Sequence, residues 1–213
     1  MNADRQQPAQ ALIEIKQMME KSSRFISLSG WSGVAAGICA LVAAFIVAGR
    51  AGCWEIDRCF FRHAPPAKAE ALERELYIIA AGTFIAAFAT AFVFTWIRSK
   101  KTGVPVWGLV ARRLMWSVAI PIVAGAVFLF RMVELGQYEL VAPGCLLFYG
   151  LALVNASRHT LPEIRYLGYA ELLLGFLNCW LTGYGLYFWA IGFGVLHIIY
   201  GISMWLKYER KTA

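Results

Sequence analysis

The stretch YIIAAGTFIAAFATAFVFTWI, residues 77–97, runs for 21 residues without an acidic, basic or histidine side chain. A helix of that length rises roughly 30 Å, which matches the thickness of the hydrocarbon core of a bilayer. A soluble helix of the same length would carry a polar face, and this segment has none. The segment therefore predicts a transmembrane helix.

Five more apolar segments of similar length lie on either side of it, and together they predict an all-α fold, a polytopic membrane helical bundle with six transmembrane helices. The composition agrees, because 60% of the residues are hydrophobic and only 15% are charged, whereas soluble domains carry about 25% charged residues. The predicted spans are Trp31–Gly49, Tyr77–Ile97, Arg113–Phe130, Tyr138–Ala156, Tyr166–Thr182 and Leu186–Leu206. They form one membrane domain at residues 31–206, between an N-terminal arm (1–30) and a basic tail (207–213).

Lysine and arginine are distributed unequally between the two sides of this membrane domain, and cytoplasmic flanks of spans are enriched in both. Fourteen of the 20 fall on the side that holds both termini. The other six are Arg50, Arg58, Arg62, Lys68, Arg74 and Arg131. Both termini are therefore predicted to be cytoplasmic. The net charge of +7 then predicts attraction to anionic membrane lipids rather than direct binding of nucleic acid.

The N-terminal arm has the pattern of an amphipathic helix from about Pro8 to Leu28. Leu12, Ile15 and Met19 recur at helical spacing, and the charged residues lie largely on the other side of the helical wheel. Two interpretations stay open: a helix at the cytoplasmic membrane interface, or a docking helix for a cytoplasmic regulatory protein.

The first loop outside the membrane carries Cys53 and Cys59, which a disulfide could join in an oxidising compartment. Asp57 and His63 lie close by in the sequence, but the spacing of these four residues matches no familiar zinc pattern. We therefore predict a possible disulfide, no metal site and no cofactor.

Small residues on the first span form a stripe that begins with Gly33 and Gly37 in a G-x-x-x-G arrangement. Such a face allows two helix backbones to approach closely. The partner helix could belong to the same chain or to a second copy in a homo-oligomer.

Polar side chains enter the last three spans, where they are costly and are often functional. Glu171 and His197 lie at compatible depths from the cytoplasmic ends of their spans, and three further polar residues lie towards the same side. The predicted polar pocket consists of Asn155, His159, Glu171, His197 and Tyr200. A carboxylate beside an imidazole suits proton relay or the binding of a polar ligand. The alternative is that both side chains only bond neighbouring helices and serve packing.

Four segments carry a resemblance to known sequences: SSRFISLSGWSGVAAG from Ser22, LLFYGLALVNAS from Leu146, IRYLGYAELLLG from Ile164 and YFWAIGFGVLHIIYG from Tyr187. They resemble an uncharacterised family of six-span bacterial integral membrane proteins, and the resemblance covers most of the chain. It implies the bacterial inner membrane as location. It also implies a gene neighbour that encodes a small winged-helix regulator, and hence a signalling or regulatory function.

Motifs of the common enzyme classes are missing from the chain. There is no H-E-x-x-H helix, no G-x-S-x-G turn, no P-loop and no haem-attachment motif. The sequence therefore predicts a non-enzymatic sensing or scaffolding component of the membrane. The alternative is a small-solute or proton-coupled transporter that uses the polar cluster in spans four to six.

Overall fold

The computed structural model describes residues 29–56, 58, 65–102 and 107–210, and all regular structure within these ranges is helical. A 3₁₀ turn, Tyr138–Leu140, leads into α4. The last helix, α6, includes two π-helical segments, Ala190–Leu196 and Trp205–Glu209. The helices are α1 Gly30–Ala51, α2 Pro66–Thr102, α3 Leu109–Glu134, α4 Val141–Ala156, α5 Ile164–Trp180 and α6 Gly185–Glu209.

Five helical segments of the described chain are long and apolar enough to cross a membrane. They confirm the membrane-protein prediction and coincide with predicted spans one, two, three, four and six. Glycines with positive φ follow two of the helices, Gly52 after α1 at 73° and Gly136 after α3 at 70°. Side chains other than glycine rarely adopt this backbone conformation. The five segments are Gly30–Ala51, Glu70–Lys101, Leu109–Glu134, Tyr138–Ala156 and Gly185–Glu209.

The predicted fifth span corresponds to α5, which has 17 residues and is not one of these five. It packs antiparallel along α4: an added Cβ at Gly150 would lie 2.9 Å from Gly168 O, and one at Gly175 would lie 2.8 Å from Leu147 Cγ. Glycine on both helices lets the two backbones approach this closely. The pair α4–α5 is therefore a tight helical hairpin whose two arms occupy the same depth.

The helices α1 and α6 cross at a similarly close, antiparallel contact. Gly33 lies against the backbone of Gly201, where an added Cβ would be 3.2 Å from Gly201 Cα. Gly37 lies against Gly194, with a corresponding distance of 2.6 Å to the carbonyl oxygen. The small-residue face predicted on the first span thus packs within the chain, on the last helix.

Two helices, α2 and α3, lie at the periphery of the bundle. None of the most apolar window of α2 is buried within the protein, and only 6% of that of α3 is. Large side chains such as Ile78, Phe84 and Phe88 are at least 65% exposed. An apolar surface of this extent requires lipid or another protein chain around it.

Glu209, at the end of α6, joins three helix ends on one side of the bundle. Its Oε1 accepts a 2.6 Å hydrogen bond from the backbone N–H of Gly30 and a 2.5 Å bond from Arg98 Nη1. A carboxylate at a helix N-terminus satisfies an otherwise unpaired donor and interacts well with the helix dipole. The ends of α1, α2 and α6 are therefore held together.

Glu163, in the turn before α5, makes a second contact to the end of α6. Its Oε1 accepts hydrogen bonds from Lys207 and, at 2.6 Å, from the Tyr208 hydroxyl. Partial burial disfavours the charged carboxylate, but these two donors outweigh it and lower the pKa of Glu163 below its usual value. The ionised carboxylate of Glu163 thereby connects the α4–α5 turn to the end of α6.

The amphipathic helix predicted from Pro8 to Leu28 lies outside the described residues. Of the predicted disulfide, only Cys53 is described. Cys53 is disulfide-bonded, and Cys39, Cys145 and Cys179 are free. Cys59, Asp57 and His63 lie outside the described residues, so the pairing of Cys53 with Cys59 stays a prediction.

Candidate functional site

Glu171 is the most deeply buried charged residue that the structure describes, with 0% of its surface exposed. It lies on the face of α5 that meets α6. Both carboxylate oxygens are buried, and neither has a hydrogen-bond partner among the described residues. In a low-dielectric interior, a carboxylate without donors is costly to keep ionised unless a cation compensates its charge.

His197, on α6, is the titratable side chain that lies beside Glu171. Its Nδ1 lies 3.5 Å from Glu171 Oε1, which permits electrostatic interaction without hydrogen-bond geometry. The same nitrogen lies 3.0 Å from the carbonyl oxygen of Gly192. A carbonyl only accepts, so Nδ1 carries a hydrogen and donates it to Gly192. In the neutral ring, Nε2 then accepts the hydrogen bond from the Tyr149 hydroxyl, at 2.7 Å.

The π-helical segment Ala190–Leu196 creates this arrangement. The wider turn allows the Nδ1–H of His197 to reach the carbonyl of Gly192, five residues earlier. Gly192 also gives Glu171 its space, because an added Cβ would lie 2.5 Å from Glu171 Oε2. Single-turn π segments in otherwise α-helical elements occur frequently at functional sites. The glycine and the π turn together bring a carboxylate, an imidazole and a carbonyl to one point.

The structure brings two of the five predicted pocket residues, Glu171 and His197, into contact. Asn155 instead donates through Nδ2 to the backbone carbonyl of Ser117 on α3, at 2.9 Å. Asn155 follows Tyr149 by six residues on α4. Its side chain therefore points roughly 120° around the helix axis from the face that meets His197. Asn155 is therefore a packing contact between α4 and α3.

Among the described residues, His159 and Tyr200 make no hydrogen bond or ion pair with Glu171 or His197 and lie in different places. His159 lies in the turn after α4, roughly 13 Å along the helix direction from Gly150, which is level with Glu171. Tyr200 packs against the cluster of Leu153, Ile164 and Leu167, as Tyr149 does. Its hydroxyl is buried without a hydrogen-bond partner among the described residues.

The sequence analysis missed two buried polar residues: Tyr149, which belongs to the site, and Asn178, which lies about two turns further along α5. Tyr149 lies in the middle of a span rather than in the interfacial belt where tyrosines usually serve as anchors, and this position was the signal that could have identified it. Asn178 is fully buried and donates to the carbonyl of Leu181 at 3.1 Å, so it stabilises the end of α5.

Within residues 29–56, 58, 65–102 and 107–210, no three histidine, cysteine, aspartate or glutamate side chains form a group that could hold a metal ion. The chemistry that the site offers is proton binding, because Glu171, His197 and the Tyr149 hydroxyl form a contiguous row of three proton-carrying groups.

Comparison of the chain with protein-family models, with curated protein sequences and with solved structures returns no match. Its function is therefore inferred from the geometry of the site.

Proposed function

We propose that this protein is a non-enzymatic membrane sensing component in which Glu171 and His197 form a proton-binding switch inside the helix bundle. The observation that carries the proposal is the fully buried Glu171 carboxylate, which has no hydrogen-bond donor among the described residues and lies 3.5 Å from His197 Nδ1. Intramembrane ionisable residues are expensive, and function is the usual reason for their presence.

The pair accommodates one proton without net charge. Either Glu171 is a neutral acid beside a neutral imidazole, or the proton sits on the imidazole and the two groups form an ion pair. Adding or removing one proton leaves an uncompensated charge in a low-dielectric interior. The pair therefore titrates as a unit, and its protonation state is coupled to the packing around it.

Two acceptors compete for the Nδ1–H of His197, namely the Gly192 carbonyl at 3.0 Å and Glu171 Oε1 at 3.5 Å. When Glu171 is ionised, its charge attracts the hydrogen away from Gly192. That shift loosens the bond that spans the π segment of α6. A change of protonation thus favours a different local packing of α6 against α5, which is the two-state element that a switch requires.

Infrared spectroscopy tests the proton site directly. The purified protein is reconstituted into lipid membranes, and spectra at two pH values are subtracted. The difference spectrum is expected to contain a protonated-carboxyl band that disappears in Glu171→Gln. Glu134→Gln is the matched control, because that carboxylate is exposed and paired with Arg131. Intrinsic amide exchange depends on pH, so the second readout is the protection factor of residues 190–197, which should change with pH in the wild type and not in Glu171→Gln. A band that persists in Glu171→Gln would contradict the proposal.

A proton-coupled transporter is the second candidate, and the row Tyr149–His197–Glu171 is the observation that favours it, because such rows act as proton relays in pumps. Proton flux into sealed vesicles separates the two functions. The switch predicts no flux above that of empty vesicles, whereas a transporter predicts flux that Glu171→Gln abolishes.

The topology belongs to the same proposal: six spans, both termini in the cytoplasm and location in a bacterial inner membrane. Support for a sixth span comes from α5, which runs alongside α4 and rises about 25 Å. Support for the orientation comes from Cys53, which is disulfide-bonded and lies at the opposite end of the bundle from Glu209. Disulfides persist in oxidising compartments. A reporter protein that is active only in the cytoplasm, fused after Ala213, tests the location of the C-terminus. The fusion should be active. We propose membrane lipids and a cytoplasmic regulatory protein as partners.

A further inference from the structure

A cavity of about 290 Å³ lies between α2 and the start of α4, and neither Glu171 nor His197 lines it. Its inner wall consists of small and apolar residues of α1 and α6, including Ala44 and Leu186. The walls hold few groups that could bond ordered water, which requires two to four polar partners. The chemistry of the interior fits an aliphatic chain.

The cavity runs along α2 from Glu73 to Thr83, about 15 Å of helix. That length is half of a hydrocarbon core about 30 Å thick, or one leaflet. The helix α2 packs mainly on α1, and the cavity separates it from the start of α4. A lipid chain could enter the cavity through this gap. The dimensions match one acyl chain that enters sideways from a single leaflet.

Polar groups gather at one end of the cavity. Glu73 accepts a 2.9 Å hydrogen bond from the Tyr138 hydroxyl, and a second depression beside it is lined by Glu70, Glu73, Arg74 and Tyr77. Carboxylates and a guanidinium therefore meet at the interfacial end of an apolar slot. This pattern complements a headgroup that carries both an ammonium and a phosphate.

We propose that the cavity is a binding site for one membrane phospholipid with a primary ammonium headgroup, namely phosphatidylethanolamine. Its acyl chain fills the slot, its ammonium donates hydrogen bonds to Glu73, and its phosphate pairs with Arg74. A carboxylate has about four acceptor positions, so Glu73 binds the ammonium while it retains the bond from Tyr138. The quaternary ammonium of phosphatidylcholine has no N–H to donate, and the site therefore selects against it.

Thermal unfolding of the washed, detergent-solubilised protein with added dioleoyl lipids tests the site. At a hundredfold excess over Kd, phosphatidylethanolamine should raise the Tm of the wild type by roughly 5 °C. Phosphatidylcholine and phosphatidylglycerol should raise it by clearly less. Equal shifts with all three lipids would overturn the headgroup assignment.

Two substitutions on α2 locate the effect. Ala80 lines the cavity, and Ala80→Phe should abolish the response to phosphatidylethanolamine. Ala81 is exposed and does not line it, so Ala81→Phe is the matched control and should respond as the wild type does. A full response in Ala80→Phe would place the lipid elsewhere on the surface.

Glu73→Gln keeps the proposal testable if Ala80→Phe fails to fold. The amide oxygen of glutamine still accepts the bond from Tyr138, while the negative charge is lost. This variant should respond equally to phosphatidylethanolamine and phosphatidylcholine. If the preference for phosphatidylethanolamine survives, Glu73 does not bind the ammonium. The site lies apart from Glu171, so this outcome leaves the proton switch untouched.

Discussion

Replacement of Gly37 by alanine is expected to destabilise the bundle by about 1–3 kcal/mol, the usual cost of overpacking. The added Cβ would lie 2.6 Å from Gly194 O and 3.1 Å from Ile198 N, which are backbone atoms of α6. Backbone atoms in a continuous helix cannot move independently, so α1 and α6 must separate. Thermal unfolding in mild detergent measures the effect, and a loss of this size lowers Tm by several degrees.

Gly49→Ala is the control on the same helix, because an added Cβ at this position has no neighbouring atom within 4 Å. It should change stability by no more than about 0.5 kcal/mol. Equal losses in the two variants would show that glycine content rather than the α1–α6 contact matters. Light scattering adds a second readout: a change of oligomeric state in Gly37→Ala with unchanged Tm would contradict the packing of this face on α6.

The positions of the helices could be predicted from the sequence because the thickness of the hydrocarbon core sets the length of a span. Residues 77–97 lie wholly inside α2, and the predicted last span, Leu186–Leu206, lies inside α6. The helix pairing did not follow in the same way. The stripe of Gly33 and Gly37 predicted a close contact, but many helices could supply the other backbone, and only the three-dimensional packing selects Gly194 and Gly201.

The site was predictable in its central pair and not in its surroundings. Glu171 and His197 stood out because a charged or titratable group inside an apolar span is rare. Asn155 was grouped with them by depth alone, and depth does not tell which face of α4 a residue occupies. The π segment has no sequence signal of its own beyond Gly192, and it determines which carbonyl reaches His197.

Replacement of Glu171 by methionine is expected to stabilise the protein, by about 1 kcal/mol or more. Neither carboxylate oxygen has a hydrogen-bond partner in the described chain, so the substitution removes a desolvated polar group and breaks no bond. His197 keeps its bonds to Gly192 and Tyr149. Methionine has a similar length and enough flexibility to fill the space beside Gly192. Thermal unfolding at neutral pH measures the change.

Asn155→Leu is the matched comparison, because Asn155 makes the kind of contact that only holds helices together. It should lose about 1–2 kcal/mol, since the bond to Ser117 O disappears and a backbone carbonyl is left unpaired. Opposite signs in the two variants separate a polar residue kept for packing from one kept at a cost in stability, as functional groups often are. If Glu171→Met is destabilised as Asn155→Leu is, the carboxylate serves packing, and the proton switch loses the observation on which it rests.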